Sequence, residues 1–259
     1  MAKKFKEWFG REVADELAPK FAEVVKNFDQ KGFVSYIDER AEGKEMGERL
    51  DIVADAIEMF VSEDYLTVLG VLEQILGPKL KKETGMFTEG WWLWPVGQYV
   101  KRHAIEHPEK SYECIYELTQ RFTGEFAIRP LLKEYPKETL EVLKAWSKDE
   151  SVHVRRLASE GMRSRLPWGE KVYVYGEYGK ECREIWENLK SDQSKFVQKS
   201  VANGINDLIK DARDAGLAIL KAWSQDHPSK ATSWIIKHAL RWLAKKGDAE
   251  AIELREQLS

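Results

Sequence analysis

Three side chains invite a chemical reading first. Arg156, Glu160 and Arg163 fall at i, i+4 and i+7, so one helical face would carry a carboxylate between two guanidiniums. Opposite charges that close favour the ionised acid, so Glu160 is expected to be a carboxylate at neutral pH. The plain reading is an ion-pair ladder on a solvated face, worth about tenths of a kcal/mol. The functional reading is an anion held beside a cationic binding surface. Spacing alone favours the ladder. From His153 to Lys171 there are five Arg or Lys and two Glu, so this stretch is locally basic. Cations that track along a surface suit a phosphate backbone. Glu125, after Thr123-Gly124, reads as an acid in a first helical turn, where the helix dipole alone would account for it. Asp207 is unremarkable taken singly. Trp91, Trp92 and Trp94 precede Pro95, and Trp168 follows Pro167. At least two of these four are expected in the core, whereas one at a surface edge could stack on a base or sugar. His103 and His107 are spaced like metal ligands but lack a third, and no phosphate loop, GxGxxG, GxSxG or kinase signature occurs.

The elements that must hold these residues are helical. Apolar positions recur at helical spacing over Arg11–Phe28, Phe33–Glu39, Leu50–Val61, Tyr65–Leu76, Met86–Val100, Val96–Glu106, Tyr112–Arg121, Glu125–Glu134 and Lys137–Trp146. They continue over Val152–Arg165, Lys180–Lys190, Phe196–Lys210, Asp214–Trp223, Ala231–Lys245 and Ala249–Gln257. Ser62-Glu63-Asp64 is an N-cap cluster. Val172–Tyr175 is too short and isolated for a strand. The later half repeats itself: Leu-Lys-Ala-Trp-Ser stands at Leu143–Ser147 and at Leu220–Ser224, with a divergent copy at Asn188–Asp192. The acids that follow, Asp149, Asp192 and Asp226, are 43 and 34 residues apart. Helix pairs at that period are the mark of a HEAT-type solenoid, whose stacked pairs bury a continuous core and leave a concave groove. A shift of 43 residues lays Arg156 on Lys199, Glu160 on Asn203 and Arg163 on Asn206. In this register Val197, Val201, Ile205 and Leu208 are buried, Lys199, Asn203 and Asn206 line the other side, and Asp207 sits at its edge. The expected architecture is all-α: a HEAT-like helical-repeat superhelix forming one domain over residues 1–259, with a helical N-terminal part over 1–100 and clearer repeats over 101–259.

Composition agrees. Hydrophobic residues make up 43% and charged residues 33% of 259, which suits a chain with a proper core rather than a disordered one. A net charge of −3 excludes a protein coated in positive charge but leaves room for a local basic stripe. Ten Trp hint at a stacking or packing surface. Cys114 and Cys182 form no CxxC pair, and neither a signal peptide nor a membrane span is legible, so a reduced, cytoplasmic protein is expected.

Two stretches carry a family resemblance. GEFAIRPLL at Gly124–Leu132 and VRRLASEGMRSRLPWG at Val154–Gly169 resemble the HEAT-repeat DNA alkylation-repair glycosylases of the AlkC/AlkD type, most of all the AlkC branch. GWWLWPVGQYV at Gly90–Val100 and VANGINDLIK at Val201–Lys210 are compatible with it. Ser164 stands where a Pro is often seen. The resemblance implies a monofunctional glycosylase that hydrolyses the N-glycosidic bond of cationic alkylpurines, chiefly 3-methyladenine, in duplex DNA and leaves an abasic site. It maps the catalytic carboxylates to Glu125, Glu160 and Asp207. Arg156, Arg163 and Trp168 match positions expected to hold DNA or shape the site, and Arg155, Lys199, Asn203 and Trp92 are further DNA-binding candidates. It implies no metal or other cofactor, and recognition of bent or opened DNA without a deep base pocket. A monomer on alkylated double-stranded DNA is expected, with no membrane association. Some AlkC-like proteins carry a β-sandwich domain after the repeats, and none is expected within this chain. The alternatives are a non-catalytic HEAT scaffold for DNA or protein, and a relative that kept the groove but lost base excision.

Overall fold

A computed structural model describes residues 4–83 and 89–258. The chain divides into two compact units, Met1–Pro130 and Leu131–Ser259. Among the described residues every regular element is helical.

The first unit holds α1 (Arg11–Val24), α2 (Gln30–Ala41), α3 (Met46–Phe60), α4 (Tyr65–Ile75), α5 (Trp94–His103) and α6 (Pro108–Thr119), with 3-10 turns at Phe5–Trp8 and Trp91–Leu93. Helix α1 packs on α2, α2 on α3, and α3 on α5. The expected N-cap is Asp64, whose side chain accepts from the Thr67 amide. Of the helix expected over Met86–Val100, residues 86–88 lie outside the described residues. The described part begins as the 3-10 turn and becomes α5, with Pro95 in its first turn, where its missing N–H costs nothing. Gly90 starts this stretch in the left-handed region, with φ 70°; a Cβ there would lie 2.4 Å from the Arg121 carbonyl oxygen.

Helix α7 (Arg129–Glu134) spans the division between the units. The second unit continues with α8 (Pro136–Trp146), α9 (Val152–Glu160), α10 (Tyr175–Leu189), α11 (Lys195–Asp211), α12 (Arg213–Gln225), α13 (Lys230–Ala239), α14 (Arg241–Lys245) and α15 (Ala249–Glu256). Here the repeat is plain. Helices α9, α11 and α13 lie side by side in one layer, while α8 packs on α10, and each of α8, α10 and α12 also packs on its partner in that layer. This is the pairing of a helical-repeat solenoid. Val154, Leu157, Val197, Val201, Ile205, Ile235 and Ile236 are buried. Polar staples tie successive repeats. Asn188 donates to Ser147 Oγ at 2.8 Å, and Thr232 Oγ1 donates to the Lys190 carbonyl at 3.0 Å. Two helices depart from the expected regularity. Helix α10 is regular only past Tyr178, whose backbone is non-helical. The helix expected over Ala231–Lys245 is interrupted at Leu240, between α13 and α14.

Candidate functional site

Helix α9 is shorter than its apolar pattern implied. It ends at Glu160, with Gly161 as C-cap, and the chain then turns toward Pro167. Arg163 therefore stands beyond the helix instead of one turn further along it. From there its guanidinium reaches two carboxylates: Nη1 lies 2.6 Å from Glu160 Oε1, and Nε lies 2.9 Å from Asp207 Oδ2 on α11. Arg156 Nη2 stands 3.3 Å from the same Glu160 oxygen, and Ser200 Oγ donates to Glu160 Oε2 at 2.6 Å. Lys210 lies 3.5 Å from Asp207 Oδ1. Both oxygens of Glu160 are thus engaged, from its own repeat and from the next.

This arrangement corrects the solvated ladder. Glu160, Arg163 and Asp207 are only 5%, 8% and 3% exposed. Burial by itself would raise the Glu160 pKa, but the charges of Arg156 and Arg163 and the Ser200 hydrogen bond outweigh it and hold the carboxyl below its usual range. The same carboxylates hold Arg163 above its ordinary value despite burial. A buried, hydrogen-bonded pair has different energetics from an exposed one, because removing a partner strands a charge out of water. Asp207 is likewise not at the edge of a face but inside this network. Asn206, expected on the polar face, is 1% exposed and donates to the Ala239 carbonyl at 2.6 Å, joining α11 to α13.

Arg155 is a repeat-to-repeat staple: Nε bonds Asp192 at 2.7 Å and Nη1 takes the Asp149 and Glu150 carbonyls. Arg156 stacks its guanidinium over the Phe196 ring, 4.9 Å from its centroid. Lys199 is exposed, and Asn203 accepts from Arg241 Nη2 at 2.8 Å. Trp168 is 70% exposed with φ 59°, a backbone region costly for a large non-glycine side chain. Ser164, the departure from the signature, donates to Asp211 Oδ2 at 2.5 Å, next to Arg165 on the same carboxylate. That bond pins the turn leading to Trp168, work a Pro would do by fixing φ.

In the first unit Glu125 is not in a helical first turn. It lies in the turn before α7, 5% exposed, and takes a hydrogen bond from Thr123 Oγ1 at 2.9 Å. Gly124 lets this turn close on α6: a Cβ would stand 2.6 Å from Thr119 Oγ1 and Ile115 Cγ2. Phe126 stacks on Trp94 with centroids 5.3 Å apart. Arg129, four residues after Glu125, is 1% exposed, a buried cation that the sequence reading passed over. Its signal was the pairing of an acid and an Arg at i, i+4 in an otherwise apolar stretch. Trp94 is core, while Trp91 and Trp92 are half-buried, and Lys20 sits 4.7 Å over the Trp92 ring. Among the described residues no group of three His, Cys, Asp or Glu could hold a metal ion, and no helix is long and apolar enough to cross a membrane.

Comparison with known proteins bears on this geometry. Residues 123–243, from the Glu125 turn into α14, match the DNA alkylation repair enzyme family. The uncharacterized protein YhaZ of Bacillus subtilis (strain 168) is 37% identical over 207 residues, covering 80% of this chain. The chain spans 55% of that relative's length. A solved structure, Pseudomonas fluorescens alkylpurine DNA glycosylase AlkC bound to DNA containing an abasic site analog, superposes with a TM-score of 0.86 at 31% identity, covering 98% of this chain and 68% of AlkC. With both signature stretches inside the matched region, the chain belongs to the helical-repeat DNA alkylation repair enzymes of the AlkC/AlkD family.

Proposed function

We propose that the chain is a DNA glycosylase that hydrolyses the N-glycosidic bond of cationic N-alkylpurines, chiefly 3-methyladenine, in duplex DNA and leaves an abasic site. The observation that carries this reading is the Glu160 carboxylate: buried, ionised, and held by Arg156, Arg163 and Ser200. Family membership and the likeness to a glycosylase bound to abasic DNA support it.

Alkylation at N3 makes the base positively charged and a good leaving group, so no strong general acid is required. As the bond to the base breaks, C1′ and the ring oxygen of the sugar gain oxocarbenium character. A carboxylate fixed in advance stabilises that charge without reorganising and orients the attacking water. Water supplies the new C1′–O bond, the bonding pair leaves with the base, which becomes neutral, and the water's proton passes to a carboxylate or to solvent. Glu160 is assigned this work, with Asp207 steadied beside it through Arg163. Glu125 is assigned a catalytic role by the family signature, from its own unit. Arg156, Trp168, Lys199, Asn203 and Trp92 are proposed contacts to DNA; Arg155 and Arg163 act chiefly by holding neighbouring side chains in place.

The test is release of free base from N-methylated duplex DNA by the purified chain, analysed chromatographically. Released 3-methyladenine is expected, and Glu160→Gln should slow single-turnover release by about 10²–10³-fold, as for loss of one preorganised electrostatic group. Salt-sensitive binding to the duplex without base release would mean a DNA-binding relative that lacks excision. Neither binding nor release would mean a scaffold.

A further inference from the structure

The Arg side chains of the second unit mostly meet carboxylates. Arg155, Arg163, Arg165 and Arg213 each have one at 2.6–2.8 Å. Arg241 is different. Its guanidinium donates to two neutral oxygens, the His238 carbonyl at 2.7 Å and Asn203 Oδ1 at 2.8 Å, and it forms no ion pair among the described residues. Lys199 and Lys195 also form none there. Lys195 instead bonds Gln198 at 2.7 Å and holds its ammonium 4.3 Å from the Trp234 ring centroid. The same ring stacks on His238, with centroids 4.7 Å apart and 11° between planes. In a chain with more acids than bases, the strip that runs along α11 from its first turn and along α13 into α14 thus carries three cations and an imidazole without an ion-pair partner among the described residues.

We infer that Lys195, Lys199, His238 and Arg241 form a phosphodiester-binding site that seats a backbone phosphate of the DNA strand beyond the carboxylate site. This rests on the glycosylase reading and extends it to a contact that the signature stretches do not include. Like charges gathered on one surface repel, and an anion relieves that repulsion. The repulsion is visible at His238: burial, and then the charges of Arg241 and Lys199, push its pKa down to about 4. The groups bearing on it come from α11 and α14, and both are cations. The Arg241 guanidinium, held below its ordinary value by burial, also feels the opposed charges of Asp207 and Arg163, so the cation site adjoins the carboxylate network. Asn203 fixes the Arg241 fork, leaving it preorganised for an oxyanion.

The experiment is fluorescence anisotropy of a duplex carrying a tetrahydrofuran abasic analogue, titrated with full-length protein from about 0.05 to 0.3 M salt. Arg241→Gln should weaken binding about tenfold and make the slope of log K against log salt shallower by about one, the signature of one lost phosphate contact. Arg241→Lys should restore the slope, which a role in packing alone would not predict. Lys195→Gln, on an exposed side chain, should cut the slope in the same direction and decides the matter if Arg241→Gln does not fold. An unchanged slope together with an affinity within about twofold of wild type in folded Arg241→Gln or, failing that, in Lys195→Gln would overturn the site. In that outcome base release by the wild type leaves the glycosylase reading standing. A wild type that neither binds the duplex nor releases base overturns both.

Discussion

At the scale of the residue, Arg163 is the member on which the carboxylate site depends most. It bonds Glu160 and Asp207 at once, from two repeats, and all three are nearly excluded from water. Replacing it by Gln leaves Glu160 with Arg156 and Ser200, and Asp207 with Lys210. Two buried carboxylates then share fewer charges. The expected cost is about 3 kcal/mol of unfolding free energy by urea denaturation at pH 7, near the lower end for a broken buried pair. Asp207→Asn in the same background should recover part of it, since one stranded charge is then gone. The pH dependence follows from Glu160. Its carboxyl is held below its usual range in the fold, so the unfolded chain binds more protons as the medium is acidified. Its contribution is complete above the unfolded value of about 4.3 and is lost as pH falls through the depressed value. The gap between wild type and Arg163→Gln should therefore narrow on acidification below about pH 4. A gap unchanged between pH 7 and pH 3 would mean that the network is not the origin of the loss.

At the scale of the element, α11 does the most positioning. It supplies Ser200 to Glu160, Asp207 to Arg163, Asn203 to Arg241 and Asn206 to the end of α13. Its start is fixed by Ser194, whose hydroxyl accepts from the amides of Phe196 and Val197. Ser194→Ala should cost about 1 kcal/mol in urea, the usual worth of an N-cap, and Ser194→Asp should restore it. Most helices were legible because their apolar stripes follow the helical period, and the repeat was legible because Leu-Lys-Ala-Trp-Ser recurs. The site was less legible, for identifiable reasons. The apolar pattern over Val152–Arg165 has the helix continue past Glu160, whereas α9 stops there, and Arg163 is swung toward a residue 44 positions on. Burial of Glu160 and Asp207 is likewise a matter of which helices become neighbours. The periodic shift correctly laid α9 beside α11, yet it could not say that Asn206 turns inward to a carbonyl. Glu125 was expected inside a helix, but Gly124 and the packing of Phe126 on Trp94 make its segment a turn.

At the scale of the molecule, charge is sorted rather than scarce. The net charge is −3, yet Lys195, Lys199 and Arg241 stand together without acid partners among the described residues, while Arg155, Arg165 and Arg213 are tied to carboxylates. Such sorting means that binding to duplex DNA should be steeply salt-dependent despite the overall acidity, because the local field sets the counterion release. It also predicts where ligand binding will be felt. A ligand that binds only the folded state adds RT ln(1 + [L]/Kd), about 2.7 kcal/mol at a hundredfold excess over Kd. If the abasic duplex engages the layer of α9, α11 and α13, the unfolding step belonging to the second unit should rise by about 5–10 °C. Amide exchange should slow most in α11 and α13, the helices that carry the cations. Glu160→Gln should keep most of that ligand-induced shift, because its proposed work is on the departing sugar and not on phosphate. Arg241→Gln should lose about half of it, a tenfold weaker Kd removing about 1.4 kcal/mol. A shift equal in the wild type and in Arg241→Gln, with no added protection in α13, would place the DNA elsewhere on the molecule.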